Sequence, residues 1–265
     1  MSSESRSEWW WSGLTWARRA EGWWWPRSPV EEIRSVEALA VVLAEVGVAL
    51  KNETRLRRGR RRQTRHVPQR MTWDCGLACA LMVRDEASWD EALRCSGTRS
   101  VWTVDLVAVL RAWGLARFVF LTKTIGADPS HGRLSFYSAD YASDRRRVDA
   151  RFAEFRRWIR RATLSSDVLL EVLARGLLVL ALIDLRVLRA SEDDYTGHYI
   201  LLIGLDDRGH VLYRDPAAAD PILAIAPELL HTARTAHGTD DDLILIETDD
   251  EDPTDETAAG SCRDE

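Results

Sequence analysis

Between residues 177 and 247 the chain returns four times to short runs dominated by Leu, Ile and Val, at 177–183, 198–205, 210–214 and 243–247. Each run is of strand length, and Asp206-Asp207-Arg208-Gly209 between the middle two carries the turn chemistry of a hairpin. The charge-free apolar stretch 176–183 is less than half of what a bilayer-spanning helix requires, and no membrane span is expected. Upstream the pattern is mostly helical, at 36–50, 74–84, 103–113, 147–161 and 166–175, with one earlier strand at 117–121. Gly176 closes the last of these helices as a C-cap glycine would. Helices first and antiparallel strands later describe an α+β domain.

With 265 residues, 46% of them apolar and 29% charged, the chain can bury a real core and falls in the globular range. Four cysteines (Cys75, Cys79, Cys95 and Cys262) are too few for a disulfide framework and point to a reducing setting, cytoplasmic or nuclear. The first eleven residues lack the basic start and apolar core of a secretory signal, so none is expected. The net charge of −6 hides a split, because residues 240–265 contribute −11 and the rest sums to +5. Such an acidic tail has nothing apolar to bury and is expected to be disordered.

Seven of the twelve tryptophans fall in the first 25 residues without a sustained period, which reads as a poorly ordered extension. Seven arginines crowd residues 55–65, read as a solvated linker that doubles as an address signal. No aromatic residues interleave with them to stack bases, so nucleic acid is an unlikely partner. The expected organisation is a Trp-rich extension (1–35), a helix with an Arg-rich linker (36–65), the main domain (66–248) and an acidic tail (249–265).

The chemistry-bearing signal is Gln69-Arg70-Met71-Thr72-Trp73-Asp74-Cys75-Gly76-Leu77-Ala78-Cys79, with Gly197-His198-Tyr199 and Asp215-Pro216-Ala217 far downstream. A thiol attacks an acyl carbon only as thiolate, so it needs a base, a group to orient that base and donors for the oxyanion. Cys75 starts an amphipathic run, where the positive end of a helix dipole favours the thiolate and Asp74 can cap the first turn. Gly76 is expected to leave the backbone open to substrate. Gln69, six residues before Cys75, is placed to supply an oxyanion donor beside the Cys75 amide. If the hairpin turn centres between Asp207 and Arg208, paired residues sum to 415, Asp215 faces Ile200, and His198 and Asp215 share one face. Asp215 then orients His198 toward Cys75. A slip of one residue would separate them.

Other readings of these residues are weaker. A tyrosine-phosphatase loop would want an arginine six positions after its cysteine, where Leu81 stands. Zinc could take Cys75, Cys79 and His198, but Cys79 lies on the apolar stripe with Met82 and Val83 and is better explained as core. Asp240-Asp241-Asp242 reads as a solvated loop, since three consecutive side chains do not converge on one cation. His66, His131, His210, His231 and His237 lack partners at telling spacings, and Arg214 is either a strand-edge charge or a contact for an acidic substrate group. No cofactor or metal is required.

These motifs carry a resemblance. Gln69-x5-Cys75, Gly-His-Tyr-Ile-Leu-Leu-Ile-Gly and Tyr-Arg-Asp-Pro-Ala resemble the papain-like cysteine peptidase fold in the form used by bacteriocin-processing peptidases. With Ser100-Val-Trp-Thr-Val-Asp-Leu, Asp215-Pro-Ala-Ala-Ala-Asp-Pro221 and His237-Gly-Thr-Asp-Asp-Asp-Leu-Ile-Leu, residues 66–248 resemble the plant-type guanylyl cyclase and guanylyl cyclase domain-containing family. The fold resemblance implies a thiol-dependent hydrolase acting on an amide, isopeptide or thioester bond of a peptide or protein-derived substrate. The family name implies conversion of GTP to cyclic GMP, with Mg²⁺. A papain-like interaction module without turnover is a third expectation.

Overall fold

The computed structural model describes residues 30–50, 61–84, 86–191 and 193–247, with two short paired strands, β1 (Ala17–Arg19) and β2 (Gly22–Trp24). The expectations for the rest of the Trp-rich extension, for residues 51–60 of the arginine run and for the acidic tail lie outside the described residues. The remaining elements are, in chain order, β3 (Glu31–Ile33), α1 (Val36–Ala44), α2 (Cys75–Val83), α3 (Trp89–Ser96), α4 (Thr103–Ala112), β4 (Phe118–Thr122), α5 (Ser135–Ser138), α6 (Tyr141–Glu154), β5 (Ile159–Leu164), α7 (Ser166–Ala174), β6 (Leu178–Asp184), α8 (Leu185–Arg189), β7 (Gly197–Leu205), β8 (Val211–Arg214), β9 (Leu223–Ile225), α9 (Pro227–Arg234) and β10 (Leu243–Ile246).

Eight strands form one sheet in the order β3-β5-β4-β10-β6-β7-β8-β9. The class is mixed α+β. Along β4, β6, β7 and β10 every residue is buried, and successive side chains enter two different cores. Phe118, Phe120, Leu180, Leu201 and Ile244 pack with Leu77 of α2 and Leu106 of α4 on one face. Val119, Leu121, Val179, Leu202 and Leu245 pack with Leu39 of α1 and Val172 of α7 on the other. Helices cover both faces, which is why these strands read as unbroken apolar runs.

Several sequence expectations are corrected. The helix expected over 36–50 ends at Ala44, because Gly47 takes a φ of 75° and the amides of Gly47 and Val48 bond back to Ala44 and Leu43 in a C-terminal cap. The helix expected over 147–161 is α6, shifted toward the N-terminus. The arginine-rich stretch after it enters the sheet as β5, burying Ile159, Ala162 and Leu164. β5 pairs parallel with both β3 and β4, so the sheet is mixed and not wholly antiparallel. Gly176 does close α7, with a φ of 83°.

The end of the arginine run is part of the fold, not a solvated linker. Arg62 is buried, and its Nε donates to the Gly176 carbonyl at 2.7 Å. The Arg65 guanidinium donates to the carbonyls of Leu81 (3.3 Å), Arg84 (3.4 Å) and Ala87 (3.1 Å), placing a positive charge at the C-terminal end of α2.

Gly76 is buried against β7 and not open to substrate. A Cβ there would lie 2.9 Å from the Tyr199 ring and 3.1 Å from Leu106. The glycine lets α2 approach the sheet. Gly76→Val should therefore destabilise the protein by about 1–3 kcal/mol through overpacking, read as a lower midpoint in chemical denaturation. An unchanged midpoint would show that the α2–β7 contact has slack.

Candidate active site

The hairpin of β7 and β8 decides whether the base and the carboxylate meet. Near the turn the register is Gly204 with Leu212 and Leu205 with Val211, a sum of 416. Further along it is Leu202 with Tyr213 and Leu201 with Arg214, a sum of 415. The turn is thus displaced from the expected centre, and a bulge between Leu202 and Gly204 restores the expected register before Asp215 is reached. Without it Asp215 would fall opposite Leu201, on the wrong face for His198. Gly204, with a φ of 154°, supplies the conformation. The Ile203 carbonyl accepts from the Arg62 amide at 2.8 Å.

His198 and Asp215 are neighbours as the register requires. Nε2 of His198 lies 2.7 Å from Asp215 Oδ1, and both side chains are buried. Asp215 Oδ1 also accepts from the Ala217 amide at 2.8 Å, which fixes the carboxylate from the chain side. With Nε2 engaged, Nδ1 is the ring nitrogen left for Cys75. Burial alone would lower the His198 pKa, but the Asp215 hydrogen bond, a hydrogen bond to Cys75 and the charges of both raise it to about 9. Burial would raise the Asp215 pKa, and the bond to His198 with its charge instead holds it below the usual carboxylate range.

Cys75 is the first residue of α2 and is 6% exposed. Asp74 does not cap this helix, contrary to expectation. Its Oδ1 turns back to accept the amides of Arg70 and Met71, each at 3.1 Å, and so braces the loop that precedes the thiol. The first amides of α2 are left without a side-chain cap, free to receive an anion.

A strap formed by residues 61–69 brings this loop to the hairpin. Besides the Arg62 contact, Thr64 receives the Arg214 guanidinium through its Oγ1 (2.7 Å) and its carbonyl. His66 Nε2 lies 3.2 Å from the Ala218 carbonyl, and the Gln69 amide donates to the Pro216 carbonyl at 2.9 Å. Gln69 is thereby held beside Asp215, and its side-chain nitrogen donates to the Met71 carbonyl at 3.0 Å. The buried Arg214 also donates to the Pro221 carbonyl, so it is a structural clamp and not a contact for an acidic substrate.

The other motifs frame the site. Cys79 is fully buried, donates to the Tyr199 carbonyl at 3.4 Å, and has its thiol pKa pushed up by burial, as a core residue would. Asp105 is buried between Arg147 and Arg151, and its Oδ2 accepts the Trp102 amide at 2.8 Å. Asp144 accepts from Ser100 and from the Trp102 indole. Asp240, Asp241 and Asp242 do not form a solvated loop: Asp241 and Asp242 are buried, and the three diverge. Asp240 meets Thr124 and His131, Asp241 pairs with buried Arg234, and Asp242 accepts from Thr103, which also bonds the Tyr199 hydroxyl at 2.8 Å. Among the described residues no group of three His, Cys, Asp or Glu side chains could hold a metal ion. Sequence reasoning overlooked Tyr137 and Tyr199, whose phenol pKa values are raised by burial and, less strongly, by the charge of Cys75.

The raised pKa of His198 gives a pH signature. Because the folded value lies above the unfolded value of about 6.5, protonation favours the fold. This contribution is complete below about pH 6.5 and is lost as pH rises through about 9. Asp215→Asn should remove it, so the Tm advantage of the wild type should be largest near pH 6, shrink as pH rises from about 6.5 to about 9, and be smallest above that. An advantage independent of pH would show that the pair does not titrate as the geometry requires.

Comparison with known proteins places this chain in a family. The guanylylate cyclase family model matches residues 64–246. The chain is also 31% identical over 212 residues to Guanylyl cyclase 1 of Arabidopsis thaliana, covering 68% of this chain and 74% of that protein. The family match begins within the strap and spans α2, the hairpin and the aspartate triplet, and the chain belongs to the guanylylate cyclase family.

Proposed function

We propose that the protein is a thiol-dependent hydrolase with a papain-like arrangement, acting on an amide, isopeptide or thioester bond of a peptide or protein-derived substrate. The observation that carries this reading is the 2.7 Å contact between His198 and Asp215, with the free face of the imidazole turned to Cys75 at the start of α2. Cys75 is the nucleophile, His198 the general acid and base, Asp215 its orienter and Gln69 an oxyanion donor. The thiolate attacks the acyl carbon, and the carbonyl π electrons move onto oxygen, where the α2 amides and Gln69 receive them. Collapse of the adduct expels the amine or thiol, which takes its proton from His198. Water then gives a proton to His198 and attacks the thioester, releasing the acid and regenerating the thiol.

A second reading comes from the family name and from the name of the Arabidopsis relative: cyclisation of GTP. Mg²⁺ chemistry would draw on carboxylates, and the aspartate triplet does not fit it, because its three side chains go to different partners.

The two readings separate on Cys75. Near neutral pH a thiol-directed alkylating agent should modify Cys75 at least about tenfold faster than Cys95, whose thiol pKa is pushed up by burial. Cys75→Ala should abolish release from acyl probes and leave any GTP turnover intact. Equal labelling of Cys75 and Cys95 would sink the hydrolase and favour an interaction module, whereas GTP cyclisation that survives Cys75→Ala would favour the cyclase.

A further inference from the structure

The loop before Cys75 carries a cation that the fold leaves uncommitted. Arg70 is exposed, its guanidinium lies 4.7 Å above the Trp89 ring, and its amide is pinned to Asp74 at 3.1 Å. With Gln69, Met71 and Thr72 it lines an open depression of about 350 Å³. Several half-buried or buried arginines are paired with carboxylates, Arg147 and Arg151 with Asp105, Arg160 with Glu45 and Arg234 with Asp241, and buried Arg62 and Arg214 donate to carbonyls. Among the described residues Arg70 has no carboxylate at ion-pair distance, and the neighbouring Asp74 oxygen is occupied by main-chain amides.

Stacking on Trp89 holds the guanidinium plane in place before any ligand arrives, which lowers the entropy lost on binding. A single planar guanidinium presents parallel donors that match a carboxylate in a bidentate pair. The uncapped start of α2 follows this loop, and the carboxylates on that side, Asp74 and Asp215, are engaged by main-chain amides and by His198. Met71, 55% exposed, adds an apolar surface at the same rim.

We infer that Arg70 is a specificity residue that binds a carboxylate of the substrate, so that the cleft selects peptide or protein-derived acyl compounds with an acidic residue beside the scissile carbonyl. This rests on the hydrolase reading, and the following test keeps the two apart. The full-length protein is alkylated with iodoacetate and with iodoacetamide, and the rates at Cys75 and Cys95 are followed by mass mapping. The ratio of anionic to neutral reagent at Cys75 should fall about threefold in Arg70→Ala and about tenfold in Arg70→Glu, with Arg70→Lys nearer the wild type. The iodoacetamide rate should stay within about twofold throughout, which also certifies the fold.

Peptidyl electrophiles differing only by Glu, Gln or Lys next to the reactive carbon extend the test to substrate-like ligands. The wild type should label in the order Glu, Gln, Lys, and Arg70→Glu should reverse it. An unchanged iodoacetate ratio in Arg70→Glu, or equal labelling by the three peptidyl probes, overturns the assignment of Arg70. An iodoacetamide rate at Cys75 no greater than at Cys95 overturns the hydrolase reading instead, whatever the ratio.

Discussion

The bulge between Leu202 and Gly204 is the constraint on which the candidate site depends. One extra residue in β7 converts a register that would separate His198 from Asp215 into one that joins them. Such an irregularity leaves a carbonyl without its ladder partner. That carbonyl, of Ile203, is taken by the amide of Arg62, which begins the strap toward α2. The contact that satisfies the bulge is therefore also the first of those that carry the thiol to the hairpin. Geometry on the histidine side and geometry on the cysteine side share one anchor.

Electrostatics follow from that placement. Asp74 could have capped α2, and its carboxylate would then have stood where the proposed reaction develops an anion. By turning back to the amides of Arg70 and Met71 it becomes a brace for the loop, and the start of α2 keeps its positive end without a side-chain cap. Asp215 is the carboxylate that acts on the imidazole, at a distance where its charge and hydrogen bond outweigh the burial of the ring. Two acids flank the chemistry, and only one of them faces it.

The strands β4, β6, β7, β8 and β10 and the helices α2, α4 and α7 were legible in the sequence because they rest on local periodicity, whereas α3, α8, α9, β3 and β9 were not foreseen. The hairpin register at Asp215 was legible for a less secure reason. The turn was centred between Asp207 and Arg208, the bulge was not foreseen, and the two errors offset each other; Gly204 within an apolar run was the available signal. β5 was missed because arginines at 160 and 161 mask a strand whose buried positions are Ile159, Ala162 and Leu164. The aspartate triplet looked solvated because composition does not reveal that Arg234 and Thr103 wait in the interior. Left-handed backbone at Asp240 (φ 52°) and Asp241 (φ 54°) sends the three side chains to separate partners, which no spacing rule anticipates.

The separation of Cys75 from the hairpin along the chain has a consequence for biosynthesis. The ribosome delivers the sulfur early and the imidazole more than a hundred residues later. A nascent or truncated polypeptide ending before Gly197 carries the Cys75 thiol with neither His198 nor Asp215. Under the hydrolase reading proposed above, such an unfinished product lacks the means to act on the peptides around it.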